Sequence, residues 1–439
     1  MDDTNSLIEQ RKAKLAALRA RGIDPFKNKF TPTESCADAR NNYTEGREVA
    51  VAGRITAHRD MGKSMFIDVR DQSGRIQVYA QKNTLGDDQW NIFTHLDLAD
   101  FIGVKGTLFT TKTGEISIKL AGFTILAKAL RPPPAKWHGL EDTEIRYRQR
   151  YLDLMANPEV KDVFLKRSQI ITEIRSFLQS RGFVEVETPM MQAIPGGAAA
   201  QPFKTHHNAL GCDFYLRIAL ELYLKRLLVG GVDKVFEIGR NFRNEGLSRK
   251  HNPEFTMLEA YQAFGDYESM MELVQSMICH VAQKVLGTLK IETKDAEGKI
   301  VKSIDLTPDW RRAKYKDLIR EKAGADWFEI SPAERRQRAH DLGAEITKDY
   351  ADFEVTGAVF EKLIEPTLIQ PTFVTHLPKE LVPLAKLSPE DPTTVEVFEC
   401  CLNGQEISPG YTEQNDPIQQ RATLEHQAGG KGNRGTVSF

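Results

Sequence analysis

The densest group of chemically useful side chains lies between Val235 and Phe264, where the pattern predicts two strands, 235–243 and 254–264, joined by a polar loop. Side chains alternate between the two faces of a strand, so Phe255, Glu259 and Tyr261 share one face of the second strand. The loop adds polar and charged side chains: Arg243, Glu245, Arg249, Lys250 and His251. An aromatic face beside carboxylates and clustered cations can hold an apolar ring system and an anionic chain together, as a nucleotide site must.

Three of these side chains suggest how a nucleotide would be held. Arg243 has the planar fork that binds a phosphate or a carboxylate through two hydrogen bonds. His251 can reach a more distal phosphate, and Phe255 can stack beneath a purine. Each role has a structural alternative, because Phe255 can also pack in a core and Arg243 can also pair with a neighbouring carboxylate. Their convergence with Glu259 and Tyr261 on one hairpin favours the nucleotide site.

A second hairpin turns at Asn403-Gly404, a dipeptide typical of a type I′ turn that fixes the strand register. The predicted pairs are Leu402 with Gln405, Cys401 with Glu406, and Glu399 with Ser408. Glu399 and Glu406 would then be diagonal neighbours, roughly 7–8 Å apart at the backbone, and would repel each other unless a cation lay between them. Their oxygen atoms suit Mg²⁺ that bridges to phosphate. The alternative is an exposed acidic pair separated by water.

Signatures of several other kinds of protein are missing from the sequence. It has no G-x-x-x-x-G-K loop and no G-x-G-x-x-G after a strand, so a P-loop or Rossmann nucleotide site is disfavoured. No run approaches the ~18 apolar residues of a membrane span, and the acidic first ten residues are unlike a signal peptide. The five cysteines form no C-x-x-C pair, which argues against zinc and disulfides and for the reducing cytoplasm.

The nucleotide site must be positioned by elements that fall into several parts. The pattern of residues 1–46 predicts an N-terminal helical arm with one helix at Asn5–Arg21. This helix is either a solvated surface helix or a basic segment that binds nucleic acid. Residues 47–128 carry strand runs with Gly-centred turns, typical of a closed barrel of the OB type. Such barrels bind single-stranded nucleic acid, for which Phe66 and Gln77 are candidates, although Phe66 alone equally suits a core.

Beyond a proline-rich linker at 129–150, the pattern changes to mixed helices and strands. We expect a helix over 163–181, a strand over 183–189 and a long helix over 267–286. Three further helical stretches are expected within 310–324, 331–343 and 353–368.

Several of these stretches resemble the class II aminoacyl-tRNA synthetases. Gly182–Pro189 (GFVEVETP) is similar to motif 1 of that class, and NFRNEG followed by HNPEFTMLEAY is similar to motif 2. Further stretches narrow the resemblance to lysyl-tRNA synthetases of the bacterial type: RYRQRYLDL, ALRPPPAKWHGL, IPGGAAA, THHNAL and LRIALELYLKR. The resemblance runs from about Ala50 to about Gln427. It implies an α+β fold in which an N-terminal OB-fold barrel precedes an antiparallel catalytic sheet flanked by helices.

The resemblance also implies a role for each matching residue. The implied ATP-binding residues are Arg243, Glu245, His251, Asn252, Phe255 and Glu399, of which Arg243, Glu245 and His251 would act in catalysis. The implied lysine-binding residues are Gly197, Glu221, Arg243, Glu259, Tyr261 and Glu413. Mg²⁺ would be held by Glu399 and Glu406, and the anticodon would be read by Phe66, Gln77 and Glu115.

The implied activity is the ATP-dependent attachment of L-lysine to tRNA(Lys) through lysyl-adenylate, by a cytoplasmic homodimer. The carboxylates of Glu259 and Glu413 suit a cationic amino-acid substrate. They disfavour specificity for aspartate or asparagine. Two alternatives are a non-catalytic tRNA-binding protein and a lysyl ligase that acts on a protein. Relatives of the latter kind lack the anticodon barrel, which this sequence has.

The sequence departs from the family pattern at Gln201, Leu220 and Pro409, where the family usually has Arg, Pro and Asn. After Gln427 the sequence no longer resembles the family, which continues through motif 3. We therefore expect a truncated or frameshifted chain whose class II catalytic domain, 151–439, lacks motif 3. Without that strand and its arginine, the chain is expected to be unstable or poorly active.

Overall fold

The computed structural model describes the backbone of residues 2–133, 140–248 and 251–430, and the side chains of residues 5–133, 140–248 and 251–426. The chain divides into two compact units, Met1–Val163 and Phe164–Phe439. Part of the predicted linker, the loop residues Arg249 and Lys250, and the C-terminal tail 431–439 lie outside the described residues. Within the described ranges, no helix is long and apolar enough to span a bilayer.

The first unit is built around a closed five-stranded barrel. Its strands are β1 (Glu48–Asp60), β2 (Ser64–Arg70), β3 (Arg75–Gln81), β4 (Phe101–Thr110) and β5 (Ile116–Ala127). The strands follow the order β1-β2-β3-β5-β4, with β3 and β5 parallel and the other neighbours antiparallel. Alternate apolar residues, such as Val51, Ile67 and Val78, point inward and are fully buried. The predicted OB-type barrel is therefore confirmed.

The first unit also contains helices. They are α1 (Asp2–Ala20), α2 (Cys36–Asn41), α3 (Lys82–Thr94), α4 (Thr143–Arg148) and α5 (Arg150–Ala156). On α1, the buried Arg11 donates hydrogen bonds to the carbonyls of Ala129 and Arg131 at 2.7 and 3.2 Å. Lys14 pairs with Asp97 at 2.6 Å. Two cations of the predicted basic arm are thus used within the unit itself.

The second unit contains several small sheets surrounded by helices. Its strands are β6 (Val184–Glu185), β7 (Met191–Gln192), β8 (Lys204–His207), β9 (Cys212–Leu216), β10 (Lys234–Phe242), β11 (Glu254–Gln262), β12 (Lys290–Lys294), β13 (Ile300–Asp305), β14 (Arg311–Lys314), β15 (Thr372–Thr375), β16 (Val397–Leu402) and β17 (Gln405–Tyr411). Its helices are α6 (Pro158–Ser180), which starts within the first unit, α7 (Glu221–Val229), α8 (Tyr267–Leu286), α9 (Tyr315–Ala323), α10 (Pro332–Asp341), α11 (Asp352–Val359) and α12 (Pro417–Gly430).

The nucleotide hairpin predicted from the sequence lies in a three-stranded sheet of order β11-β10-β6. β10 and β11 are antiparallel, whereas β6 runs parallel to β10. Phe236 of β10 packs with Phe177 and Leu178 of α6 and Leu273 of α8, so these helices support one side of the sheet. The hairpin is confirmed, but the strand expected over 183–189 is limited to the two residues of β6.

The hairpin of β16 and β17, which carries Glu399 and Glu406 and is called the acidic hairpin below, lies in a four-stranded sheet of order β14-β15-β16-β17. The helix expected over 310–324 is only partly correct, because its first residues form β14, which pairs in parallel with β15. Local propensity there favours a helix, but the ladder with β15 and the burial of Trp310 favour a strand. The helix α9 begins immediately afterwards at Tyr315.

Candidate active site

The hairpin of β10 and β11 fixes which side chains share a surface. Glu237 pairs with Glu259 and Phe242 pairs with Glu254, which puts Phe255, Glu259 and Tyr261 on one face as predicted. At the open end, the N–H of Arg243 donates to the carbonyl of Pro253 at 2.9 Å. This bond closes the neck of the loop and holds Arg243 beside Phe255.

Arg243 and Phe255 form a cation–π pair. The guanidinium carbon of Arg243 is 5.2 Å from the centroid of the Phe255 ring, and both side chains are half-buried. The buried Nε of Arg243 has no hydrogen-bond partner, and no described carboxylate pairs with this guanidinium. Neither structural alternative fits: Phe255 is outside the cores, and Arg243 keeps an unsatisfied donor. The pair suits an anion next to a planar ring.

The other predicted ATP-binding residues of this loop are exposed at its surface. The backbone N–H of Gln201 donates to Glu245 at 3.4 Å, and Gln201 accepts a bond from the N–H of Asn244 at 2.7 Å. His251 Nδ1 lies 2.9 Å from the hydroxyl of Ser248. Glu245, His251 and Asn252 are therefore close to the guanidinium along the chain and open to solvent.

Three carboxylates converge at the other end of the hairpin face. Glu259 accepts hydrogen bonds from the N–H of Leu220 at 3.1 Å and from the hydroxyl of Tyr261 at 2.9 Å. Burial raises the pKa of Glu259, and burial raises the pKa of Glu413 to about 7. The charges of Glu221 and Glu259 also raise the pKa of Glu413, so these carboxylates are close enough to interact electrostatically. The site is a pocket that favours a cation.

Helix α7 brings Glu221 into this pocket. Glu221 is nearly buried and pairs with Lys225 at 2.6 Å, and Lys225 also pairs with Glu413 at 2.8 Å. The hydroxyl of Tyr411 lies 3.4 Å from Glu221. Sequence reasoning missed Lys225 and Tyr411, although a lysine four residues after a glutamate on one helix is a recognisable pairing signal.

Gly197 borders the pocket as predicted. Its φ of +85° lies in the left-handed region, and an added Cβ would sit 3.0 Å from the Cβ of Glu221 and 3.1 Å from that of Ala219. Glycine is therefore required for the backbone to approach Glu221 this closely. The backbone polar groups around Gly197 therefore lie next to the carboxylate of Glu221.

A buried ion pair underlies the hairpin and was also missed by sequence reasoning. Arg217 is fully buried and binds Glu237 at 2.7 Å, the carbonyl of Thr188 at 3.1 Å and the carbonyl of Arg240 at 2.8 Å. An added Cβ on Gly239 would lie 2.1 Å from a terminal nitrogen of Arg217. The available signal was an arginine inside an apolar run, YLRIAL, and a glutamate on the inward side of β10.

The turn of the acidic hairpin is as predicted, but its register is not. Asn403 and Gly404 both have positive φ, 60° and 77°, as a type I′ turn requires. Leu402 pairs with Gln405 and Cys401 with Glu406, but a bulge follows, so Cys400 pairs with Ser408 and Glu399 with Pro409. The predicted pairing of Glu399 with Ser408 is therefore wrong, because Ile407 is an extra residue in β17.

Despite the bulge, Glu399 and Glu406 still influence each other. Burial, and then the charge of Glu406, raises the pKa of Glu399 to about 8. Burial also raises the pKa of Glu406, with a further contribution from Glu365. No described lysine or arginine forms an ion pair with these three glutamates. Glu399 is half-buried and Glu406 is exposed at the edge strand, so both the metal site and the acidic pair separated by water stay open.

Mg²⁺ fits this pair only together with a ligand. Among the described residues, no group of three His, Cys, Asp or Glu side chains is arranged to hold a metal. Mg²⁺ commonly takes one or two carboxylates and completes its octahedron with substrate phosphates and water. Glu399, half-buried, and Glu406, exposed to solvent, supply two carboxylates of the kind that this donor set needs.

On the barrel, the three predicted anticodon residues lie on neighbouring strands. Phe66 is half-buried and stacks on Tyr79 with ring centroids 4.7 Å apart, outside the barrel core. Gln77 accepts a hydrogen bond from the hydroxyl of Ser117 at 2.8 Å. Glu115, which precedes β5, lies 3.4 Å from Arg40. Phe66 is thus a surface aromatic, which leaves its ring face available for stacking.

Two protein families match this sequence. The tRNA synthetases class II (D, K and N) match residues 142–434, and the OB-fold nucleic acid binding domain matches residues 49–126. The lysine–tRNA ligase of Pelotomaculum thermopropionicum is 50% identical over 96% of this chain and 83% of its own length. Those of Carboxydothermus hydrogenoformans and Bacillus subtilis are 49% and 46% identical, over 98% and 97% of this chain and 88% and 86% of their own lengths.

The chain belongs to the lysine–tRNA ligase family. Membership confirms the resemblance from which the fold class and the enzyme class were inferred. A class II synthetase domain and an OB-fold domain together account for most of the chain. The roles of single residues are untested by these matches and stay predictions.

Leu220 shows what one departure from the pattern of the lysine–tRNA ligase family does. Its N–H donates to Glu259, a bond that the proline usual at this position cannot make. Pro409 is accommodated because β17 is at the edge of its sheet in the described part of the chain, where a missing N–H leaves no outer neighbour unpaired. Gln201 contacts the loop through its backbone, so this contact does not depend on its side chain.

Proposed function

We propose that this chain attaches L-lysine to tRNA(Lys) in an ATP-dependent reaction through lysyl-adenylate. One observation carries the choice of amino acid: Glu221, Glu259 and Glu413 converge in a largely buried pocket beside the hairpin that holds Arg243. Buried carboxylates need a cationic partner, which a lysine side chain supplies. The identity of about half the residues with lysine–tRNA ligases supports the same assignment.

The pocket holds lysine at both ends in this proposal. Glu259, Tyr261 and Glu413 bind the ε-ammonium group, and the segment at Gly197 binds the α-amino group together with Glu221. The carboxylate of lysine then points along β11 towards Arg243, since Glu259 and Phe255 are about 13 Å apart along the strand. An amino acid with a neutral side chain would supply no ε-ammonium group to Glu259 and Glu413 and would bind more weakly.

ATP occupies the loop end of the hairpin. Phe255 stacks on the adenine and Glu245 accepts a hydrogen bond from its amino group, which orients the base. Arg243 binds the α-phosphate, and His251 with Asn252 lies near the outer phosphates. The cation–π pair of Arg243 and Phe255 holds both groups in position before the ligand arrives.

The chemistry consists of two substitutions. A carboxylate oxygen of lysine forms a bond to the α-phosphorus of ATP, the bond from that phosphorus to the bridging oxygen breaks, and pyrophosphate leaves. A hydroxyl of the terminal ribose of tRNA then attacks the lysyl carbonyl, and AMP leaves. No protein nucleophile is required, because Arg243 stabilises the charge that develops at the α-phosphate.

Glu399 and Glu406 would hold Mg²⁺, with Glu399 also facing the ATP. When bound, Mg²⁺ neutralises phosphate charge and orients the phosphates. The raised pKa values of both carboxylates mean that each gains more from a cation than a glutamate of ordinary pKa would.

The remaining partners follow from other surfaces. Phe66, Gln77 and Glu115 of the barrel, within a domain at 47–128, read the anticodon. Apolar side chains of α6 and β6 are accessible to solvent; Ile170 is 37% exposed and Val184 is 52% exposed. Because such apolar surface favours association, it supports a homodimer formed through these two elements. The catalytic domain at 151–439, the arm at 1–46 and the linker at 129–150 complete the proposed organisation of a cytoplasmic enzyme.

The test is lysine-dependent exchange of pyrophosphate into ATP, followed by charging of tRNA(Lys). Glu259→Gln is expected to raise the KM for lysine at least about tenfold, because a charge-assisted bond to the ε-ammonium group is lost. The matched control is Glu254→Gln, an exposed glutamate on the same strand. Exchange that does not depend on lysine contradicts the proposal. Tight tRNA binding without any exchange supports the non-catalytic alternative.

A further inference from the structure

Lys225 occupies the pocket from within the chain. Its ammonium lies 2.6 Å from Glu221 and 2.8 Å from Glu413, and 5.9 Å from the ring centroid of Tyr411. Its side chain is only 27% exposed. Glu221 is nearly buried and Glu413 is partly exposed, and a primary ammonium group between these carboxylates and an aromatic ring reproduces the chemistry of an amino-acid side chain bound there.

No other described cation shares this position. Within the described residues, Lys225 is the cation that forms ion pairs with Glu221 and Glu413, and Glu259 has no ion-pair partner. Its neighbour Arg226 instead lies over the ring of Tyr223, with its guanidinium carbon 4.8 Å from the ring centroid. The difference follows from helix geometry, because residues four apart on α7 lie on the same face and consecutive residues do not.

We propose that Lys225 is an internal stand-in for the substrate ammonium and sets the affinity for lysine by competing with it. The inference rests on the proposed function. Glu221 and Glu413 are the groups that the two amino groups of lysine would contact. Lys225 contacts one oxygen of each carboxylate, Oε1 of Glu221 and Oε2 of Glu413, so lysine must share these groups with Lys225 or displace it. In either case the charge of Lys225 opposes the arriving cation.

Competition of this kind also keeps the empty pocket charged and ordered. The charge of Lys225 and its hydrogen bond lower the pKa of Glu413, which burial raises, so Lys225 favours the ionised carboxylate in the empty pocket. This effect comes at the cost of some affinity for lysine. An amino acid with a neutral side chain brings only its α-ammonium group, which contacts Glu221, and has no second ammonium for Glu413, so the exchange favours a cationic side chain.

The test compares Lys225→Met with the matched control Arg226→Met, which removes the neighbouring cation outside the pocket. Lysine affinity is measured by calorimetry at about pH 8.5, well above the pKa of about 7 that Glu413 has in the unaltered chain, because loss of Lys225 raises that pKa further. Lys225→Met is expected to bind lysine at least about fivefold more tightly, and Arg226→Met to bind as the unaltered chain does. Lys225→Arg keeps the charge and should keep the original affinity.

Thermal unfolding supplies a second readout. Without lysine, Lys225→Met should melt at a lower temperature than Arg226→Met, and lysine should raise its melting temperature more. A folded Lys225→Met chain that binds lysine equally or less tightly overturns the inference while leaving the proposed function in place. An unaltered chain that binds no lysine overturns the proposed function and this inference with it.

Discussion

Glu259 is oriented by two donors from different parts of the chain. Tyr261 lies two residues away on the same strand, whereas Leu220 is at the start of α7 and reaches Glu259 only in the folded chain. With both bonds in place, the carboxylate has little freedom to turn away from the pocket. The orientation of a single side chain thus depends on a backbone N–H that differs from the family pattern.

Replacing Leu220 with proline tests this dependence. Leu220→Pro removes the N–H and should raise the KM for lysine about tenfold, because Glu259 loses a charge-assisted hydrogen bond. Leu220 has φ near −91° and ψ near −22° at the start of a helix, so proline, whose ring fixes φ near about −65°, needs a shift of about 25° there. Pyrophosphate exchange is the assay, and Leu220→Met, which keeps the N–H, is the control. An unchanged KM in the proline variant would show that the bond is dispensable.

The pH dependence of lysine binding depends on Glu413. Its carboxyl pairs with an ammonium group only when ionised, and burial raises its pKa to about 7. The KM for lysine should therefore fall as pH rises through about 7, and increase as pH falls below it. Exchange rates measured from about pH 5.5 to about pH 8.5 check this. Glu413→Gln should have a higher KM without that inflection; an inflection that persists would assign it to another group.

At the scale of elements, the two hairpins differ in how well their sequences predicted them. The β10–β11 hairpin keeps an unbroken register, so the period-two alternation placed Phe255, Glu259 and Tyr261 correctly. The Asn403-Gly404 turn was also predictable, because its dipeptide favours positive φ. The bulge at Ile407 was not, because one extra residue in an edge strand leaves no mark in the alternation. Similarly, β14 forms only because β15 is present to pair with it.

Gly239 is the position at which β10 is most sensitive to substitution. Gly239→Ala places a Cβ 2.1 Å from Arg217, which is fully buried and cannot move without breaking its pair with Glu237. We expect a loss of about 3 kcal/mol in the free energy of unfolding. The control is Gly357→Ala on α11, where an added Cβ meets nothing within 4 Å and should stabilise the helix slightly. Urea unfolding measures both, and equal midpoints would contradict the clash.

At the scale of the molecule, the proposed function assigns separate recognition tasks to the two compact units. The barrel unit presents Phe66 and Gln77, and the second unit contains the pocket and the nucleotide hairpin. In that proposal, amino-acid activation uses only the second set of residues, whereas charging of tRNA uses both. A change on the barrel surface should therefore affect the two reactions differently.

Phe66→Ala tests this division. Loss of one stacking surface for a base should lower kcat/KM for tRNA charging roughly tenfold and leave lysine-dependent pyrophosphate exchange unchanged. Phe26→Ala, which removes another partly exposed aromatic of the same unit, is the control and should change neither rate. A drop in exchange with Phe66→Ala would mean that the substitution damages the fold or the catalytic unit.

Local sequence was sufficient for the barrel, the nucleotide hairpin and the type I′ turn, whereas the acidic pocket was expected only from the family resemblance. Alternation, turn chemistry and residue type act between neighbours in the chain, so they can be read without coordinates. The partners of those residues were decided only by the tertiary structure. Lys225 contacts Glu413, Leu220 contacts Glu259 and Arg217 contacts Glu237 across long sequence separations. Folding brings these groups together, and burial then makes their charges interact strongly.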